Sequence, residues 1–416
     1  MDNPTEAPQP TPAPVDMRDP AFRFNPHPLQ RALREQGRVS RDVMGVWLLC
    51  HHADVSSGLR SARLSREPWR SPIYRQTRPF LADSTLERTT EQWMLFNDPP
   101  KHTRLRRLVN GAFKPPVIAA LRQRISAIAD DLLAALPDPA QPGSSFDLMS
   151  GFAQLLPVRV ICDVLGLPAQ DFAQTKLWSD ALAIIVEPVS RREQRAAASH
   201  AAEEMVAYLR GHIAQRRASA RHDDLLALLV AAQDEEGGGT LSEDELLGNL
   251  ILLFIAGHET TTNLIGNGSL TLLQHPHELA RLRADPSLAT RAVDEMLRYE
   301  GSVTMVTRLT VEPYAIGDTV IPPEQILFFM LGAANRDPAV FAEPERFDIT
   351  RTHNPHLAFG AGIHFCLGAT LARLEAEIAF NRLLRRYPTL ALADAAPQWR
   401  KLINLRGLEA LQLTAE

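Results

Sequence analysis

The chain has 416 residues, 45% of them hydrophobic, which is ample for a large core. Lys and Arg total 44 against 49 Asp and Glu, a net charge of -5, so no basic excess points to nucleic acid or an anionic membrane as partner. Cys50, Cys162 and Cys366 are widely spaced and odd in number, which argues against a disulfide framework and for a reducing, cytoplasmic setting.

Residues 1–18 are Pro-rich and polar and read as a loose tail before a single domain over 19–416. They carry no signal pattern, and no apolar run reaches the roughly 20 residues needed to span a bilayer, so no membrane anchor is expected. Pro115 to Leu136 places Val117, Ile118, Leu121, Ile125, Ile128, Leu132 and Leu133 near a helical period, and the Pro-rich run 137–143 stops it. Ser145 to Leu167 reads as two short helices split at Pro157. Gln170 to Val186 and Arg191 to Arg217 read as further helices, and Gly237 to Gly239 as a loop. Ser242, with Glu245 three residues on, opens a helix that runs past Thr262 to about Leu273. Leu288 to Tyr299 is the next helix. Short strands follow at Thr304 to Arg308, Tyr314 to Gly317, Thr319 to Pro322 and Ile326 to Leu331. Leu367 to Arg385 returns to helix, and Ile403 to Leu413 reads as a hairpin turning near Arg406 and Gly407. The fold class is mainly α with small β-sheets.

Chemistry concentrates in the run from Phe359 to Ala369, which contains Gly360, Gly362, His364, Cys366 and Gly368. Glycines allow a tight turn and close approach to a flat ligand, and a helix start after Cys366 favours a thiolate. A glycine-rich turn around an inert buried cysteine is the competing reading. A second cluster, Ala256-Gly257-His258-Glu259-Thr260-Thr261, sits in an apolar helix, where acid and hydroxyl groups are costly unless paired or hydrated. His258-Glu259 begins a zinc-protease pattern, but Thr262 stands where its second histidine is required. Glu295 and Arg298, three apart, share a helix face, as do His102 and Arg106, four apart.

Taken in order, these motifs resemble the cytochrome P450 family over roughly Asp19 to Leu413. The resemblance implies the cytochrome P450 fold and a heme b (iron protoporphyrin IX) cofactor with Cys366 as its iron ligand. It makes Phe359 the neighbour of the sulfur and gives His102, Arg106, Arg308 and His364 to the haem, the histidines and arginines at its propionates. Glu259 becomes the acid and Thr260 the hydroxyl that manage proton delivery, with Ala256 and Gly257 leaving room above the iron. Glu295, Arg298 and Arg346 form a structural network under the Cys366 loop. Departures are Lys101, Ile363 and Ser302, the last where relatives often have proline. The implied reaction is reductive activation of O2 and insertion of one oxygen atom into an organic substrate, fed by a ferredoxin and ferredoxin reductase. A docking face is expected near Arg104, Arg107 and Arg373. The pocket would draw on residues 66–93 and 178–188 and on Leu252, Ala256, Val303, Met305, Asn404 and Leu405, which suits a mainly apolar small molecule. A peroxide-driven enzyme and a non-catalytic recruitment protein are the alternatives.

Overall fold

The helix Glu243–Gln274 organises the molecule. Its first turn is acidic, and the expected cap forms: the Glu245 N–H donates to Ser242 Oγ at 3.2 Å and the Ser242 N–H to Glu245 Oε2 at 3.0 Å. Apolar nearly all round, this helix can only be a core element. Helices Thr85–Glu91, Leu155–Val164, Phe172–Leu182, Ala289–Tyr299 and Ala369–Arg386 cover it. The computed structural model describes residues 15–77, 84–139, 141, 144–188, 190–218, 224–231, 239–393 and 397–415. Residues 1–14 of the expected tail, 78–83 of the expected pocket segment, Gly237, Gly238 and parts of the run 137–143 lie outside these. Val15 and Met17 are buried, and Val15 bridges to Asp42, so residues 15–18 belong to the folded body.

The architecture is mainly helical with small sheets. Five short strands form one sheet in the order Ser40–Arg41, Trp47–Leu49, Ile326–Phe329, Val306–Thr310, Leu64–Ser65; only the second and third are parallel. Two differences from the sequence reading have simple causes. Pro157 does not split a helix: it is the third residue of Leu155–Val164, where a missing N–H costs nothing. Residues 144–147 are a strand, drawn out of the helical pattern by pairing with Gln412–Ala415. The expected 403–413 hairpin is corrected likewise: Leu408–Ala410 pairs back to Gln398–Trp399, while Gln412–Ala415 lies between Ser144–Asp147 and Leu390–Leu392.

A buried ionic network fixes the loop that carries Cys366. Arg298 donates to both oxygens of Glu295 at 2.8 Å, and both side chains are fully buried. Arg298 also donates to the carbonyls of Asn335, Pro344 and Arg346 at 3.0, 2.8 and 3.0 Å. The expected third member, Arg346, supplies only this carbonyl; its guanidinium turns outward to exposed Glu343 at 3.1 Å. Arg351 takes the place instead, 3.2 Å from Glu295. Asn335 Oδ1 then accepts the Leu357 N–H at 2.6 Å, two residues before Phe359.

A second buried acid, Glu300, holds His27 at 3.0 Å and is ion-paired with Arg406, joining the N-terminal helix to the C-terminal strands. Burial would raise its carboxyl, but Arg406 and His27 outweigh that and hold it well below the usual range. A depressed folded pKa stabilises above the unfolded value and is lost as pH falls. The melting temperature is therefore expected to drop on acidification below about pH 4. Glu300→Gln, which takes the carboxylate away from buried Arg406, should cost roughly 3–5 kcal/mol at neutral pH and flatten that acid limb in thermal melts.

Candidate active site

The run 359–368 forms a loop just before the helix Ala369–Arg386. Gly360 and Gly362 take left-handed φ values of 68° and 72°. A Cβ on Gly362 would stand 2.5 Å from the carbonyl oxygen of Leu59, so this turn admits glycine alone. The Cys366 N–H donates to the Phe359 carbonyl at 2.9 Å, closing the loop with its sulfur on a cavity wall. Burial pushes the thiol up, while the Gly368 N–H, Arg106 and Arg373 pull it down. Phe359 is held by Arg373, whose guanidinium lies 4.5 Å from its ring centre and 2.7 Å from Asp294.

The cavity extends from this loop to the central helix and, counting its mouth, encloses ≈ 1810 Å³. Arginines and histidines gather at one side. His102, Arg106, Arg308 and His364 all line it, with the His102 and His364 rings 4.3 Å apart. Burial and the surrounding arginines keep both histidines neutral, His102 lowered to about 4 and His364 to about 2. Arg66 joins them, a residue the sequence reading placed only in a broad pocket segment. Arg66 and Arg308 donate to the same oxygen, that of Thr307, at 3.2 and 2.9 Å. Burial lowers them to about 9 and about 10, so both stay charged at neutral pH.

Opposite Cys366, the central helix turns one open face to the cavity. Ala256 is exposed there in an otherwise buried stretch. Gly257 also lines the cavity, and a Cβ there would meet Ile161 at 3.2 Å, so its smallness lets two helices approach as well. Thr260 lines the cavity and bonds back to the Ala256 carbonyl at 3.0 Å. Ser302, at a departure from the family pattern, donates to the Thr260 carbonyl at 2.7 Å. Glu259 is buried and ion-paired with Arg400, a partner far away in sequence that no local motif could reveal. Leu252, Val303, Asn404 and Leu405 line the cavity as expected. Met305 does not: it is buried among Met17, Leu48, Phe328 and Met330, and Val306 takes the cavity side.

The sequence profile described as Cytochrome P450 matches residues 8–398. The chain belongs to the cytochrome P450 family. It is 43% identical to cytochrome P450 107B1 of Saccharopolyspora erythraea over 94% of this chain and 96% of that protein. It is 39% identical to the vitamin D(3) 25-hydroxylase of Pseudonocardia autotrophica, over 96% of each chain. Among solved structures it is similar to the P450 PksS of the Bacillus subtilis 168 bacillaene polyketide synthase, with TM-score 0.87 and 36% identity over 97% of this chain and 100% of that one.

As a P450 the chain is a haem-binding monooxygenase that acts on a small molecule and O2. Its own residues fit the cofactor. Both ring nitrogens of buried His102 lack a hydrogen-bond partner among the described residues, although they need one. Arg66, Arg106 and Arg308 bring three positive charges to a region where Asp98 is the nearby acid, and the two carboxylates of a porphyrin would balance the remainder. Of the residues expected to form a docking face, Arg104 pairs with Glu245 and Arg373 with Asp294. Ile363 and Phe365, at 51% and 43% exposure, project from that side. Among the described residues no helix is long and apolar enough to cross a membrane.

Gly362→Ala should cost at least ~1–2 kcal/mol through its left-handed backbone, with the Leu59 clash in addition. The expected result is a lower haem-to-protein ratio and a lower melting temperature, read by absorbance and thermal unfolding.

Proposed function

We propose that this P450 holds haem b through Cys366, with Phe359 beside the sulfur and His102, Arg106, Arg308 and His364 on the propionates. The enzyme would insert one oxygen atom into a mainly apolar small molecule, drawing electrons from a ferredoxin and its reductase. The observation that carries this reading is that Cys366 and the Ala256–Thr260 face line opposite sides of one cavity. When bound there, the haem supplies O2 activation and oxygen transfer, to which a thiolate ligand contributes electron density.

The remaining work falls to the chain. Thr260 presents a hydroxyl at the open helix face, and Glu259 stands beside it as the buried acid that replenishes protons. Ala256 keeps that face clear. Leu252, Leu253, Val303, Val306 and Leu405 make an apolar wall that excludes water and selects an apolar substrate. The relative named for vitamin D(3), a largely apolar molecule, fits that class. The exposed pair Ile363 and Phe365, both within the Cys366 loop, offers the electron donor a contact near the sulfur.

Cys366→Ser is expected to abolish the thiolate-type absorption of the reduced carbonyl adduct, and Thr260→Ala to cut product formed per electron roughly tenfold or more while leaving substrate affinity in place. Difference spectra over a compound panel, then product analysis with a surrogate ferredoxin and reductase, check both. Turnover with hydrogen peroxide that equals turnover with the reductase would reassign the enzyme as peroxide-driven.

A further inference from the structure

His258 has no place in the scheme above, yet its ring lies between two carboxylates. It is 1% exposed. Its Nδ1 is 3.0 Å from the Phe254 carbonyl and 3.3 Å from Ser179 Oγ. A carbonyl oxygen only accepts, so Nδ1 carries the hydrogen and, in the neutral ring, Nε2 is a bare lone pair. That lone pair has no hydrogen-bond partner among the described residues. It points between Asp180 Oδ1 at 3.8 Å and Glu259 Oε2 at 3.7 Å. A lone pair facing two carboxylates is repelled by both; a proton on it is attracted by both.

The outer groups complete a path. Asp180 is about a third exposed and paired with Lys176 at 2.6 Å. Burial raises its carboxyl, and the contacts from His258 and Lys176 more than offset this and hold it low. Arg400 binds Oε1 of Glu259, which leaves Oε2 turned to the histidine. Lys176 and Arg400 already balance the two carboxylates, so the cluster suits a single added proton better than a divalent ion.

We propose that His258 is a positioning residue that shuttles protons from the solvent-facing Asp180 to Glu259, a role that rests on the monooxygenase reading. A proton held at Asp180 passes to the Nε2 lone pair and forms an imidazolium, with Nδ1 still donating to Phe254. The same N–H bond then breaks as Glu259 Oε2 takes the proton; the ring returns to neutral, and no electron changes hands. Each gap is longer than a direct hydrogen bond, and a small ring tilt or one bridging water closes it.

The test compares wild type, His258→Phe, Asp180→Asn, Glu259→Gln and the His258→Phe/Glu259→Gln double variant, each loaded with haem. The probe is 7-ethoxycoumarin, with electrons from a surrogate ferredoxin and reductase. Each single variant should lose on the order of tenfold in product per NADPH consumed and show a larger solvent deuterium effect, and the double variant should be no worse than Glu259→Gln. Independently of turnover, 15N-histidine spectra of the resting protein should show proton exchange at His258 Nε2 slowed roughly tenfold by Asp180→Asn. Variants that keep thiolate-type carbonyl absorption and couple like wild type, or losses that multiply in the double variant, overturn the shuttle alone. Should His258→Phe fail to fold, Asp180→Asn and the exchange rate decide: unchanged exchange overturns the shuttle. A wild-type carbonyl adduct that absorbs like a histidine-ligated haem removes the monooxygenase reading, and the shuttle with it.

Discussion

A sulfur on one wall and an open helix face on the other must be held far enough apart to admit a cofactor and a substrate, and the rest of this structure serves that separation. Cores ordinarily close every gap, because unfilled space forfeits packing energy. Here a helix that is core along most of its length turns Ala256 and Thr260 to open space. The cavity persists because both walls are anchored from behind. Behind the sulfur, the Glu295–Arg298–Arg351 network reaches the backbone carbonyls of Asn335, Pro344 and Arg346 through charged hydrogen bonds. Behind the helix, Gly257 lets Ile161 pack close.

Two buried acids show how charge is accommodated in the core. Glu295 and Glu300 are both enclosed, and both are met by arginine. Pairs of this kind gain little over apolar packing and are costly to break, so their value lies in fixing geometry. Where charge lacks a protein partner it gathers around the cavity: the guanidinium groups of Arg66 and Arg308 share one carbonyl, and His102 has two unmatched nitrogens. An anionic cofactor is the natural complement to these groups. The same logic gives the distal side its direction, with Asp180, His258 and Glu259 leading inward from the surface to the helix face.

What the sequence determined by itself was chemistry with a local signature. The glycine-flanked Cys366 loop, the capped central helix and the Glu259–Thr260 pair are each short runs whose residue types state their own requirement, and the family resemblance followed from their order. Helices with strong apolar periodicity emerged close to their observed bounds for the same reason. Tertiary structure decided whatever depends on residues distant in the chain. Arg351 rather than Arg346 meets Glu295, because distance in space, not motif spacing, selects the partner. Met305 turns into the core and Val306 to the cavity, since a strand sends neighbouring side chains to opposite faces and only packing says which face is which. The Ser144–Asp147 strand and the C-terminal pairing exist through hydrogen bonds to segments more than two hundred residues away. Arg400 against Glu259, and Asp180 against His258, belong to the same class: charge pairs across folded elements leave no periodicity and no local propensity to read.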